Sequence, residues 1–200
     1  MHKLRVGIIG CGNIFPMHAI SISKNEHLEL VGVCDIKKDR ADKEALRFET
    51  KAYYDYETMF KEANLDVVHI CTPHYLHAPM TIAAAKHHIH VLTEKPMSIN
   101  VEDATSMIKA CEDNHVSLGV IFQNRYNKGA RFLKDRLEEG KIGKIKSAKC
   151  QVTWDRSDEY YSRSDWKGKW DKEGGGAVID QAIHTLDLMR WFVDSPIDYI

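Results

Sequence analysis

Glu94-Lys95-Pro96 directly follows an apolar run ending at Leu92. In an open α/β sheet the carboxyl ends of the strands face the ligand crevice. A lysine there, clamped by a following proline, is placed to reach a bound ligand; a surface-turn lysine would occupy the same position. Asp180 and His184 lie four apart in a helical pattern, which puts both on one face. A carboxylate one turn from an imidazole suits general acid–base work near neutral pH, though a bare helix-surface pair has the same spacing. Gly174-Gly175-Gly176 precedes this helix and allows close approach.

A second chemistry is written near the N-terminus. Val6-Gly7-Ile8-Ile9-Gly10-Cys11-Gly12-Asn13-Ile14-Phe15 leaves a strand-like run and opens a helix. Gly10 permits a tight turn, Gly12 lets backbone approach a pyrophosphate, and the helix N-terminus offers free N–H groups. The third glycine position of such a motif holds Phe15, so the helix must sit further out or tilt. Asp35 ends the next strand, where a carboxylate would hold the adenosine ribose hydroxyls. That favours NAD over NADP. Lys37, Lys38 and Arg40 follow at once; they are either a solvated helix start or compensation for a 2′-phosphate.

Other residues read more blandly. His74 and His77 follow Thr72-Pro73 at a strand end, and a cofactor-side role fits His77. His87, His88 and His90 fall at a helix end and a strand start, so their side chains diverge and no metal site is expected. Cys34 and Cys71 read as core residues. Trp154, Tyr160, Tyr161, Trp166 and Trp170 crowd one stretch, as platforms for sugar faces or as pins for a long loop.

The elements that must position these groups alternate. Strands are expected at 4–9, 28–34, 67–71, 89–92 and 117–122, and helices at 14–24, 38–48, 55–62, 76–86 and 101–114. Near-continuous apolarity in the strands implies burial on both faces of a parallel sheet. The alternation implies a doubly wound α/β fold over 1–124. Beyond it the pattern changes: a helix at 127–139, a long strand at 145–154, an irregular stretch at 155–175, a helix at 177–193, and a further strand beginning at 195–200.

The composition agrees with a globular domain. The 200 residues are 44% hydrophobic and 28% charged, with 28 Lys and Arg against 29 Asp and Glu. A net charge of −1 argues against a dedicated nucleic-acid binder. No apolar run approaches the roughly 18 residues of a membrane helix, and the first apolar run is too short for a signal-peptide core. Five scattered cysteines with no C-x-x-C pair suggest reduced thiols and a cytoplasmic location.

Together the motifs resemble the glucose-fructose oxidoreductase, inositol dehydrogenase and rhizopine-catabolism (Gfo/Idh/MocA) family. The likeness rests on Gly10-Cys11-Gly12-Asn13-Ile14, Asp35, Cys71-Thr72-Pro73, His77, Glu94-Lys95-Pro96, Gln123-Asn124-Arg125-Tyr126, and the triple glycine followed by Asp180 and His184. It implies a Rossmann domain and then an α/β domain with a mostly antiparallel sheet. It implies oxidation of a secondary alcohol on a sugar, inositol or related polyol with NAD, or with NADP. By that likeness Lys95 and His184 are the catalytic pair, supported by Asp180. Gly10, Gly12, Asn13, Ile14, Asp35, Thr72, Pro73, His77, Glu94, Lys95, Gln123, Arg163 and Trp166 line the cofactor. Tyr126 joins Lys95, Asp180 and His184 on the substrate side. Members of the family are longer, so 125–200 is expected to hold only the start of the second domain. They are also expected to assemble as dimers or tetramers. A non-catalytic NAD(P)-sensing module and an NAD-dependent glycosidase are the alternatives on the same fold.

Overall fold

The computed structural model describes residues 3–196, so most of the strand expected from 195 lies outside the described residues. The chain divides into two compact units, Met1–Ile121 and Phe122–Ile200.

The first unit is built on six strands: β1 (Leu4–Ile9), β2 (Leu28–Cys34), β3 (Lys51–Tyr53), β4 (Val67–Ile70), β5 (His90–Thr93) and β6 (Leu118–Val120). All five pairings are parallel, in the order β3-β2-β1-β4-β5-β6. This is the expected doubly wound sheet, reversing direction between β1 and β4. β3 escapes the sequence pattern because it is three residues long, begins on a lysine and lies at the sheet edge.

Helices α1 (Phe15–Ser23), α2 (Lys38–Arg47), α3 (Tyr56–Glu62), α4 (His77–Lys86) and α5 (Val101–Asp113) connect the strands. Strand alternation splits the core in two. Val6 and Ile8 face one layer with Phe15, Ala19 and Ile22 of α1. Ile9, Val68 and Ile70 belong to the other, with Met59 and Phe60 of α3 and Met80 and Ala84 of α4. Two helix starts carry side-chain caps: the Asp55 carboxylate accepts from Thr58 N at 2.8 Å, and Asn100 Oδ1 accepts from Asp103 N at 2.7 Å. α1 has no such cap and no acidic residue in its first turn, and Pro16 sits at its start.

Phe15, the residue in the third glycine position, lies wholly inside the core. Its ring meets Phe48 edge-on, with centroids 5.7 Å apart.

The second unit contains α6 (Lys128–Glu138), α7 (Asp158–Ser162), α8 (Trp170–Glu173), a π-helical turn (Val178–Ala182) and α9 (Ile183–Val193). Arg125 grips Asp187 with two guanidinium donors, and Lys134 Nζ donates to Trp191 O at 2.9 Å. These contacts fasten α9 to the segment leading into α6 and to α6 itself. Residues 144–157 form no regular element, which corrects the strand expected at 145–154. A strand exists only against a hydrogen-bonded neighbour, and the described residues of this unit offer none. The expected antiparallel sheet is likewise absent among them. The stretch expected to be irregular holds α7 and α8. No helix of the described residues is long and apolar enough to cross a membrane.

Phe15→Ala should destabilise the first unit by about 3–5 kcal/mol, read as a lower urea midpoint. Met17→Ala, two residues on and largely exposed, should change stability by no more than about 0.5 kcal/mol.

Candidate functional site

The end of β1 is the tightest point of the first unit. Gly10 has φ +97°, and a Cβ there would lie 2.6 Å from the carbonyl oxygen of Cys71. Its N–H donates to Cys34 O at 2.8 Å, while Cys71 N donates to Ile9 O at 2.8 Å. Only glycine fits between the ends of β2 and β4. Gly12 differs: a Cβ there would meet nothing within 4 Å. Space is open above Gly12, beside the uncapped start of α1. That combination suits an anion approaching from outside.

Asp35 stands at the end of β2. Its Oδ2 accepts from Cys11 N at 2.9 Å and its Oδ1 from Lys37 N at 2.8 Å. Two backbone donors fix the carboxylate and leave lone pairs for hydroxyls. Ile36, Lys37, Lys38 and Arg40 beyond it are exposed. Asn13 is also exposed and Ile14 half-buried. The Cys11 thiol is pushed up to about 12, by burial first and then by the Asp35 charge. Open space at Gly12, donors at the start of α1 and a fixed carboxylate at β2 together match a dinucleotide.

The ends of β4 and β5 carry the next group. Thr72, Pro73, Glu94 and Lys95 are half-buried. The Lys95–Pro96 peptide is cis. His77, at the start of α4, is fully buried; its Nδ1 lies 2.8 Å from Pro96 O and its Nε2 2.9 Å from Thr72 O. It therefore ties the loop after β4 to the turn after β5. Burial holds its pKa below the ordinary range, against the pull of both carbonyls.

Glu94 has a partner that sequence reasoning missed. Its Oε1 is 3.0 Å from His18 Nε2, on the buried face of α1. His18 Nδ1 is in turn 3.0 Å from His69 Nδ1 on β4, and the two rings meet edge-on at 74°. Burial pushes the Glu94 carboxyl up, yet the His18 hydrogen bond and charge and the Lys95 N–H and charge outweigh it and hold it below its usual range. His69 is lowered to about 4, by burial first and then by His18. The signal was present: His18 shares the 15, 18, 19, 22 face of α1 with buried apolar residues, and His69 interrupts an apolar strand.

In the second unit the π-turn carries Asp180, buried, and α9 carries His184, buried one step beyond. Asp180 Oδ2 accepts from Tyr160 OH at 3.1 Å and from Gln181 Nε2 at 2.6 Å. Lys167 Nζ lies 3.7 Å from its Oδ1 and also reaches Tyr160 OH. Arg156 donates to Gln181 Oε1 at 2.7 Å. The His184 ring meets Phe122 edge-on, centroids 6.3 Å apart. Gln181 is Asp180's chain neighbour, while Lys167 is brought to it by the fold. Gln123 and Tyr126, in the 3₁₀ turn Gln123–Tyr126, are exposed. Arg163 is exposed and pairs with Glu159 at 2.6 Å. Trp166 is half-buried under Lys167 Nζ, 5.0 Å from its ring centroid.

The three close-set histidines take separate partners. His87 faces Glu57 at 3.2 Å, His88 faces Asn114 O at 3.3 Å, and His90 accepts from Ser117 N at 2.9 Å.

Comparison with known proteins bears on both units. Residues 4–122 match the family described as "Oxidoreductase family, NAD-binding Rossmann fold". Residues 130–200 match the "GFO/IDH/MocA C-terminal domain". The chain is 30% identical to myo-inositol 2-dehydrogenase of Thermotoga maritima, covering 98% of this chain and 57% of that protein. It is 35% identical to the WlbA dehydrogenase of Bordetella pertussis, solved in complex with NADH and UDP-GlcNAcA, with a TM-score of 0.92 over 96% of this chain and 56% of that one. A levoglucosan dehydrogenase in complex with NADH and levoglucosan is 26% identical, with a TM-score of 0.86 over 96% of this chain and 54% of that one. The chain thus spans a little over half the length of the relatives it matches.

The two loop glycines should separate fold from binding. Gly10→Ala should lower thermal stability sharply, since its Cβ meets the Cys71 carbonyl. Gly12→Ala should keep the melting temperature within about 2 °C while weakening NAD binding at least about tenfold by calorimetry.

Proposed function

The chain belongs to the Gfo/Idh/MocA family of oxidoreductases, and we propose on that footing that the protein is an NAD-dependent dehydrogenase of a sugar or polyol secondary hydroxyl. The observation that carries this reading is the open cradle at Gly12 with Asp35 fixed beside it. The start of α1 and the Gly10–Ile14 loop hold the pyrophosphate. Asp35 takes the adenosine ribose hydroxyls and disfavours a 2′-phosphate, so NAD is the preferred form. Thr72, Pro73, Glu94 and Lys95 line the nicotinamide side, with His77 bracing that turn from below. Gln123, Arg163 and Trp166 are assigned to the cofactor on the family likeness.

Bound nicotinamide supplies the hydride acceptor. Lys95 donates a hydrogen bond to the reacting hydroxyl and polarises it. His184 accepts the hydroxyl proton, and the buried Asp180 carboxylate favours the imidazolium that forms. Tyr160, Gln181 and Lys167 hold the Asp180 side chain in place. Tyr126 lies on the substrate side. The family likeness extends the reading to a second domain with an antiparallel sheet and to a dimeric or tetrameric assembly.

Among sugars, the higher identity and TM-score of the WlbA match favour a nucleotide-linked sugar acid. The myo-inositol 2-dehydrogenase match makes free inositol the competing substrate. A spectrophotometric NADH assay on the full-length protein, with UDP-GlcNAcA and myo-inositol side by side, decides between them. Cofactor binding with no turnover of either would point to an NAD sensor instead.

Lys95→Ala should lower kcat about 10²–10⁴-fold, measured with NAD held at a saturating concentration. Undiminished turnover would remove Lys95 from the mechanism.

A further inference from the structure

His18 and His69 lie below the Glu94-Lys95-Pro96 turn and have no part in the mechanism above. They come from separate elements, α1 and β4, yet their Nδ1 atoms are 3.0 Å apart and His18 Nε2 is 3.0 Å from the Glu94 carboxylate. Two histidines meeting Nδ1 to Nδ1 can bond only if one donates and the other accepts. Glu94 is an acceptor, so His18 must donate through Nε2. A neutral His18 then has its lone pair on Nδ1, and His69 must donate to it. The line runs one way: His69 Nδ1–H to His18 Nδ1, His18 Nε2–H to Glu94 Oε1, with Glu94 Oε2 accepting from the Lys95 backbone N–H at 3.3 Å. Every atom in it is satisfied with two neutral rings and one carboxylate.

We propose that His18 and His69 are positioning residues that fix the Glu94 carboxylate beneath Lys95 and set the charge beside it. The proposal rests on the reading of Lys95 as a reacting residue. A proton added to the pair converts His18 to the imidazolium, which donates at both nitrogens, while His69 turns to its Nε2–H tautomer and accepts. No covalent bond other than N–H changes. Glu94 then sits in a neutral ion pair instead of a hydrogen-bonded anion. Lys95 loses the full force of a neighbouring negative charge, which lowers its basicity.

The other groups facing Glu94 leave this role to the pair. Cys71, at the end of β4, has its thiol raised well above the ordinary range by burial and by Glu94. His77, from α4, is held below its ordinary value by burial. The Cys71 thiol is uncharged and a neutral His77 donates to only one of its two carbonyls, so Lys95 is the standing cation beside Glu94 and the His18–His69 pair is the group that can add another.

Three variants of the full-length enzyme test this. His18→Gln keeps a donor near the Nε2 position but cannot titrate. His18→Leu removes both contacts. His69→Leu removes the outer donor. His18→Leu should lower kcat about tenfold, as expected for losing a hydrogen bond to a charged group, with NAD Kd changed by less than about threefold. His18→Gln should restore most of that rate. Both His18 variants should lose a single ionisation from the pH profile of kcat, and His69→Leu should shift it, since His18 beside Glu94 can still take up the proton. Independently of turnover, imidazole nitrogen NMR should show His18 and His69 taking up one proton jointly, as a coupled pair. Independent titration of the two rings, or an unchanged pH profile in His18→Gln, would overturn the proposal. So would a loss of rate in His18→Leu that His18→Gln does not restore. If Lys95→Ala keeps full turnover, the reading of the turn as reactive has failed; if it is inactive while the histidine variants behave as wild type, the positioning role alone has failed.

Discussion

The first unit depends on one close approach, the passage of Gly10 under the carbonyl of Cys71. A parallel sheet that winds in both directions must part its loops at the point of reversal. Here the β1 loop and the β4 loop part there, and the gap between them accepts no side chain. Hydrogen bonds from Gly10 to Cys34 and from Cys71 to Ile9 lock three strand ends at fixed heights. Asp35 then adds a tie across to Cys11 N. The cradle is therefore rigid because the sheet beneath it has no slack, and Gly12 is left as the open position.

The turn after β5 depends on a different constraint, the need to satisfy polar groups in a buried place. His77 links the carbonyls of Thr72 and Pro96, and His18 and His69 hold Glu94. Three imidazoles from α1, β4 and α4 converge there. Apolar side chains could fill the same volume, but they could not orient a carboxylate or carry a loop carbonyl.

The sheet was legible in the sequence because five largely apolar strands alternate with helical patterns. β3 was not, since Lys51-Ala52-Tyr53 is too short and too polar to show a period. The strand expected at 145–154 failed for another reason: alternation marks a face, while a strand also needs a neighbour. Gly10, Gly12 and Asp35 were legible from spacing alone, because their motif is local. The partners of Glu94 and Asp180 were not. His18 is 76 residues from Glu94, and Tyr160 is 20 from Asp180. Local pattern describes a helix face but not which distant side chain will meet it. Phe15, in the third glycine position, turns its ring into the core against Phe48.

The cysteine inside the glycine loop has a further consequence. With its pKa raised to about 12 by burial and the Asp35 charge, Cys11 stays a thiol near pH 7. Cys34 is raised to about 12 as well, and burial raises Cys71 and Cys111 in the same direction. Peroxides and alkylating reagents attack thiolates, so the sulfurs of Cys11, Cys34 and Cys71 around the loop are poor targets for them. Burial thus makes the loop's own sulfur a poor site for thiol oxidation.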